Sequence, residues 1–448
     1  MIARAIRRYR RYGPLLLTVG SGAAVAGAIV NFIIGPLTGT FTGQMEDFDR
    51  SLPQQPEGGA LLIGARRISA GLDPYTPWIE YTKHRSLAGA FDQVPLVGWM
   101  LQPFTHMSQH DRESAWLLLL IAALVAGGII TAHAILPTAW PRTRIAVLAV
   151  FVFPAATENL YHGNLNPFIF LLFACAMYAW VRGWEMRCGV VLGVAVGLKL
   201  GPAVLVVLFI RRRWWRGIIA AGASTFALVL AGGLLLPEAS HTFFTVVLPD
   251  LGGENGWFSN MSLAGAMSRL FEHSIVGQDP ASLPLHIAAL AIEATVVMTV
   301  AFLVCPGQTS AARRGAEFAF AVAGFLLAGA TMWYRSQLHV IVVTMGIAAA
   351  MTVLSGPWRR RFAGVLVVLV VVEAVIGPLV LDALSGADLH GLSDGPWWWL
   401  VLQVDSLPTI AVAATWITLA VALRRAHWPS VVEARQGGLA RSANHRGC

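Results

Sequence analysis

The stretch FTGQMEDFDRSLPQQPEGG, Phe41 to Gly59, places Glu46, Asp47 and Asp49 directly behind a long apolar run in a chain that is only 12% charged. Ionised carboxylates are suited to take a proton from a hydroxyl, and equally suited to mark where a chain leaves the bilayer for water. Composition alone favours the second role for any one of them. Lys199 is the next group of interest. It is one of two lysines, with Lys83, among 32 basic residues, and it stands inside CGVVLGVAVGLKLGPAVLVVLFI, residues 188 to 210. A cation at mid-bilayer costs about 2.5 to 3.5 kcal/mol on insertion, so it either snorkels to the interface or meets an anion such as a lipid phosphate inside the protein. These two readings stand level. His339, in MWYRSQLHVIV with Arg335 close before it, sits at the outer end of a predicted span, where a histidine is by itself more often a packing residue. No Cys/His spacing resembles a metal site, and no phosphate-cradling glycine loop occurs, so neither a metal nor a cofactor is predicted.

The elements that position these groups follow from the apolar pattern. The 448 residues are 56% hydrophobic with a mean hydropathy of +0.63. Runs of about 18 or more residues with almost no charge recur, as expected for spans of a hydrocarbon core about 30 Å thick. Spans are predicted near 14 to 36, 114 to 136, 144 to 160, 166 to 182, 217 to 236, 285 to 304, 315 to 333, 338 to 355, 362 to 383 and 400 to 422. With both termini cytoplasmic, 23 basic residues fall on one side and 8 on the other, leaving Lys199. The net charge of +8 therefore reports topology and inner-leaflet contact under the positive-inside rule, not nucleic acid. Residues 1 to 36 read as a retained first helix, because the apolar run is long for a signal core and lacks a small-x-small cleavage site.

One segment resists a simple count. Arg187 precedes residues 188 to 210 and RRRWWR, 211 to 216, follows them, so both flanks belong on the cytoplasmic side. A helical hairpin broken near LKLGP satisfies both, because Gly201 and Pro202 disfavour a continuous helix. The predicted fold class is thus an all-α polytopic membrane protein of about ten full spans plus a re-entrant helical hairpin. It forms a single domain over 1 to 448, with external loops near 37 to 113 and 237 to 284 and a cytoplasmic tail from about 424. Within the first loop, ALLIGARRIS reads as an amphipathic helix with Leu61, Leu62, Ala65 and Ile68 on one face, ended by the GLDPY turn. AFDQVPLVGWMLQPFTHM reads as a second interfacial helix.

Taken in order, EDF behind the first span, AGLDPY, FDQVPLVGWMLQPF, HGNLNPFIFLLF, CGVVLGVAVGLKLGPAVLVVLFIRRRWW and GWFSNMSLAGAMSRL resemble a family of actinobacterial membrane glycosyltransferases. The chain is similar to polyprenyl-phosphate-sugar-dependent enzymes of the GT-C superfamily, in the branch that holds mannosyltransferases of phosphatidylinositol mannosides and lipomannan and a cell-wall arabinofuranosyltransferase. The resemblance covers residues 14 to 355. Two departures bear on the acceptor more than on the fold: SLPQQPEGG looks like an insertion, and FDQVP stands where Tyr-Pro-Pro is common.

The resemblance implies a multi-pass plasma-membrane enzyme with its site on the external face. Its partners would be a polyprenyl-phosphate-linked sugar donor, a glycolipid or glycan acceptor and membrane lipids. Matched to the family's acid-Phe pattern, Asp47 is implied as the base that takes the acceptor proton, with Asp49 in reserve. His339, Arg335, Lys199 and Arg269 are the cations available to the leaving phosphate. Mannose is favoured over arabinofuranose as the transferred sugar. A lipid or sugar transporter is the competing class, with Lys199 as its ion site, but no internal repeat or matched pair of interrupted helices supports it. A purely structural scaffold would leave the first-loop pattern unexplained.

Overall fold

The computed structural model describes residues 60–76, 91–251, 260–272, 282–305, 309–329, 332, 334–376, 406–426 and 428. Among these residues the chain is helical. The predicted first span and the EDF acids, including Asp47 and Asp49, lie outside them. In chain order the labelled helices are α1 (Ala60–Ser69), α2 (Pro95–Leu101), α3 (Gln109–Ile135), α4 (Arg142–Val152), α5 (Pro154–His162), α6 (Asn166–Arg182), α7 (Glu185–Leu198), α8 (Val207–Arg212), α9 (Trp215–Leu235), α10 (Leu263–Glu272), α11 (Leu283–Leu303), α12 (Ala311–Ala328), α13 (Val340–Val353), α14 (Gly356–Val371) and α15 (Leu407–Arg425).

Where the sequence predicts ten spans, five helical stretches among the described residues are long and apolar enough to cross a membrane, or six if α4 and α5, bent by 62°, form one broken span. The physical reason is local. Helix α6 is apolar but only 17 residues long, α12 opens with Arg313, Arg314 and Glu317, and α14 opens with Arg359, Arg360 and Arg361. These elements are helices where spans were predicted, shortened or charged at the end that carries the arginines.

The helix ends are set by ordinary local chemistry. Ser108 caps α3 by accepting from the Asp111 backbone N–H at 3.2 Å, and proline occupies the first turn of α2, α5 and α6. Gly163 closes α5 at φ 71°, a left-handed conformation in which any other side chain would be strained.

Residues 185 to 235 have the geometry of a hairpin followed by a third limb. Helix α7 runs out, the chain breaks at Lys199 and Leu200, and a 3-10 stretch, Gly201–Val206, continues into α8. The return ends where the excursion began, because the Gly217 N–H at the start of α9 donates to Glu185 Oε1 at the start of α7, 3.0 Å away. Helix α9 then runs parallel to α7, with Gly189 against Gly217, Gly193 against Ala221 and Gly197 against Leu228. A Cβ on Gly189 or Gly193 would collide with backbone oxygens of α9, so the small residues permit the approach. Thr225 Oγ1 donates to the Gly193 carbonyl at 3.0 Å in the same seam.

At the end bearing the arginines, a buried ionic knot joins distant segments. Arg212 Nη2 donates to Glu317 Oε2 at 2.7 Å and to Thr309 Oγ1 at 3.2 Å, and its guanidinium lies over the Trp180 ring, 4.5 Å from the centroid. Arg313 Nε donates to the other Glu317 oxygen at 3.3 Å, as does the Cys305 N–H at 3.0 Å. The carboxylate is thereby paired and hydrogen-bonded, which is what its burial requires.

Candidate active site

The opposite end of the bundle holds the predicted phosphate ligands. Helices α6 and α7 are antiparallel, so the start of α6 lies beside the end of α7. There Lys199 Nζ donates to Asn166 Oδ1 at 2.9 Å. Asn166 is 2% exposed and its own N–H donates to Asn164 Oδ1 at 2.9 Å, so the HGNLNPF segment fixes the amide that receives the ammonium. The break at Lys199 has a sequence cause: Pro202 has no N–H to continue the ladder, and a Cβ on Gly201 would press on Phe325.

His339 faces the same place. It is 1% exposed and ends a 3-10 turn, Tyr334–His339, that packs against α5, α6, α12 and α13. Its ring sits among Phe173, Phe325 and Phe170, at centroid distances of 4.7, 5.8 and 6.4 Å, and it feels the Lys199 charge. Its Nδ1 has no hydrogen-bond partner among the described residues, and neither side-chain atom of buried Gln337 has one. Buried polar atoms of this kind are rare, which sets this turn apart from the packed core around it. Arg335 belongs to the same turn, with its side chain outside the described residues.

Arg269 stands in an adjoining network. Fully buried, it donates through Nη1 to the Asn260 carbonyl at 2.7 Å and through Nε to Ser406 Oγ at 3.4 Å. Asn260 Oδ1 accepts from the Met332 N–H at 3.0 Å, and the Met261 N–H donates to the Met332 carbonyl at 2.6 Å. Met332 in turn reaches the Gly201 turn next to Lys199. Arg269 is thus placed to order the loop beside the site. Of the four predicted cations, Lys199 and His339 are brought together, and Arg269 connects to them through backbone.

The first-loop elements cover this end. Helix α1 buries Leu61, Leu62, Ala65 and Ile68, as its pattern predicts, and Ile63 besides, and crosses α2 where Gly64 meets Phe91 and Gly98 meets Ile68. The predicted second helix starts only at Pro95, after the non-helical Val94, and runs on as a 3-10 turn, Gln102–His106. Trp116 joins the cover to the site, its Nε1 donating to the Gly163 carbonyl at 2.7 Å and its ring packing on Phe104 and Phe168. Asp73 of AGLDPY ties the two loops predicted to be external together: Oδ1 accepts from the Tyr75 N–H and Oδ2 accepts from Thr242 Oγ1, both at 2.9 Å. Burial, then the nearby Asp92 and Asp73 charges, push the Tyr75 phenol above its usual range, so it stays a neutral donor to the Gln93 carbonyl at 2.6 Å.

Asn166, Gln337 and Asn260 are the polar residues that sequence reasoning missed. Asn166 was inside a motif already singled out, and a buried amide opening an apolar helix was the available signal. Gln337, two residues before His339 in an otherwise apolar stretch, carried a similar one.

A polyprenol-phosphate-mannose-dependent alpha-(1-2)-phosphatidylinositol pentamannoside mannosyltransferase of Mycolicibacterium smegmatis is 28% identical over 188 residues, 41% of this chain and 43% of that one. A polyprenol-phosphate-mannose-dependent alpha-(1-2)-phosphatidylinositol mannoside mannosyltransferase of Mycobacterium tuberculosis is 26% identical over 226 residues, 46% of this chain and 52% of that one. The chain thus spans about half the length of these relatives. Among solved structures, ArnT from Cupriavidus metallidurans bound to undecaprenyl phosphate aligns with a TM-score of 0.42 and 17% identity, over 89% of this chain and 76% of that one. The profile of glycosyltransferase family 87 matches residues 95 to 333, more than half of the sequence, including Asn166, Lys199, Asn260 and Arg269, and the chain belongs to that family.

Proposed function

We propose that the protein transfers mannose from a polyprenyl-phosphate donor to a glycolipid acceptor at the outer face of the plasma membrane. The observation that carries the reading is the Lys199 ammonium, held by Asn166 beside His339 at the bundle end remote from the arginines. A cation fixed at the edge of an apolar bundle suits a donor that is a phosphate on a long hydrocarbon tail. The mannose and the glycolipid are carried by the names of the similar proteins, and the outer face by the arginine count.

Transfer is a single displacement with inversion. Asp47, with Asp49 as its reserve, takes the acceptor hydroxyl proton while the anomeric carbon becomes oxocarbenium-like and its bond to the phosphate oxygen breaks. The leaving phosphate departs as a stable anion, held by Lys199 and His339 with Arg335 from the same turn, so no general acid is obligatory. Arg269 positions the Asn260–Met332 corner and reaches the phosphate only through it.

The test is transfer of radiolabelled mannose from synthetic polyprenyl-phosphate-mannose by the purified protein into a phosphatidylinositol-mannoside acceptor. Labelled glycolipid is expected. Donor movement across vesicles without any transfer would favour a carrier instead, and label delivered only from the arabinofuranose donor would change the sugar.

A further inference from the structure

A second site lies at the arginine-bearing end. Between α3, α6 and α7 there is a groove of about 460 Å³, within the range of about 300 to 1,000 Å³ typical of small-molecule sites. Its floor is apolar, formed by side chains such as Ile129, Cys175 and Val191, and its polar groups stand at the rim: His133, Tyr178, Trp184 and Arg187. The rim is ordered. The Arg187 guanidinium lies 4.6 Å from the Trp184 ring centroid, Trp184 packs edge-on to Tyr178 at 5.6 Å, and Arg182 lies 5.2 Å from the Tyr178 centroid. Neither arginine has a carboxylate partner among the described residues, and Glu185 between them accepts from the Gly217 backbone instead.

We propose that this groove binds one anionic phospholipid, its phosphate on Arg187 and one acyl chain along the floor. The chemistry separates this occupant from others. An apolar trough alone accepts any hydrocarbon, but a guanidinium stacked on an aromatic ring keeps its outer N–H edge free and is already ordered, which suits a phosphate in two-point contact. A zwitterionic headgroup brings its own cation to the same rim, where it meets Arg187 and Arg182 with like charge. Basic pockets between membrane helices on the cytoplasmic side recognise anionic headgroups on these grounds. The leaflet rests on the arginine count; the groove and its charge do not depend on that count or on the transfer reaction.

Native mass spectrometry of the purified full chain in detergent, titrated with phosphatidylglycerol, phosphatidylcholine or inorganic phosphate, tests the proposal. Arg187→Ala removes the charge, and Val191→Trp fills the floor while keeping it. The wild type is expected to retain one phosphatidylglycerol that both variants hold at least tenfold more weakly. Phosphatidylcholine should not be retained, and millimolar inorganic phosphate should not displace the lipid. Equal retention by wild type and both variants, or equal retention of phosphatidylcholine, overturns the site; displacement by inorganic phosphate overturns the role of the acyl chain. Sugar transfer by each variant confirms that it is folded, since neither residue lies at the bundle end where transfer is proposed.

Discussion

Lys199 and Asn166 are 33 positions apart in sequence, and the 2.9 Å bond between them pins the break in the hairpin to the first residue of α6. Asn166 offers a neutral oxygen, so this bond holds the ammonium without adding a negative charge. An aspartate would hold it more tightly and cancel the charge that a donor phosphate needs.

That distinction gives the first prediction. Asn166→Asp should leave the protein folded and raise KM for the polyprenyl-phosphate donor roughly tenfold, while Lys199→Met should do the same by removing the cation; a hydrogen bond to a charged group is worth about 1.5 to 3 kcal/mol. Steady-state transfer kinetics check both, and donor KM unchanged in each variant would remove Lys199 from the site.

His339→Ala opens space among Phe170, Phe173 and Phe325 and deletes the imidazole that faces Lys199. Turnover should fall at least tenfold with the detergent-extracted protein still monodisperse. Full activity would show the ring to be packing alone.

For the base, Asp47→Asn keeps the shape and deletes the charge, and should lower kcat by roughly 10² to 10⁴ with donor binding preserved. Asp49→Asn should cost much less. Loss of activity in Asp49→Asn alone would transfer the role, and activity retained in the double variant would end the carboxylate mechanism.

Reporter fusions after Arg187 and after Arg216 should both register the cytoplasm, because Gly217 returns to Glu185 at 3.0 Å. An external signal after Arg216 would mean that the segment crosses.

Replacing Glu317 by Ala strands Arg212 in a buried place with Thr309 as its remaining polar side-chain contact among the described residues. Losing one partner of a buried ion pair costs about 3 to 5 kcal/mol. Thermal unfolding in detergent should show a clear fall in Tm, and Glu317→Gln should fall less because the amide still accepts from the Cys305 N–H.

What the sequence made legible was local. Apolar runs located most helices, the Gly201–Pro202 pair marked the break after α7, and the isolation of Lys199 in apolar surroundings drew attention to it, while His339 by itself read as packing. What stayed hidden was pairing across distance. Glu317 is neutralised by Arg212, 105 positions away, and a count of charges along a helix carries no trace of that partner. Asn166 escaped notice for the same reason, since its significance lies in the ammonium that reaches it from another helix. Asp47 and Asp49 were chosen on chemistry and on the resemblance, and they lie outside the described residues.

The return limb of the hairpin is partly 3-10, and that choice matches two lengths. Helix α7 has 14 residues, which at about 1.5 Å each makes about 21 Å. The way back has six 3-10 residues at about 2.0 Å and six α-helical residues at about 1.5 Å, again about 21 Å. An all-α return would need two more residues to reach the same depth. The two limbs work like a plumb line whose cord is cut to measure: inserting or deleting a residue on either one would shift Lys199 along the bundle axis relative to Asn166, so tolerance to changes in chain length should be lowest in this segment, even where its side chains can be exchanged freely.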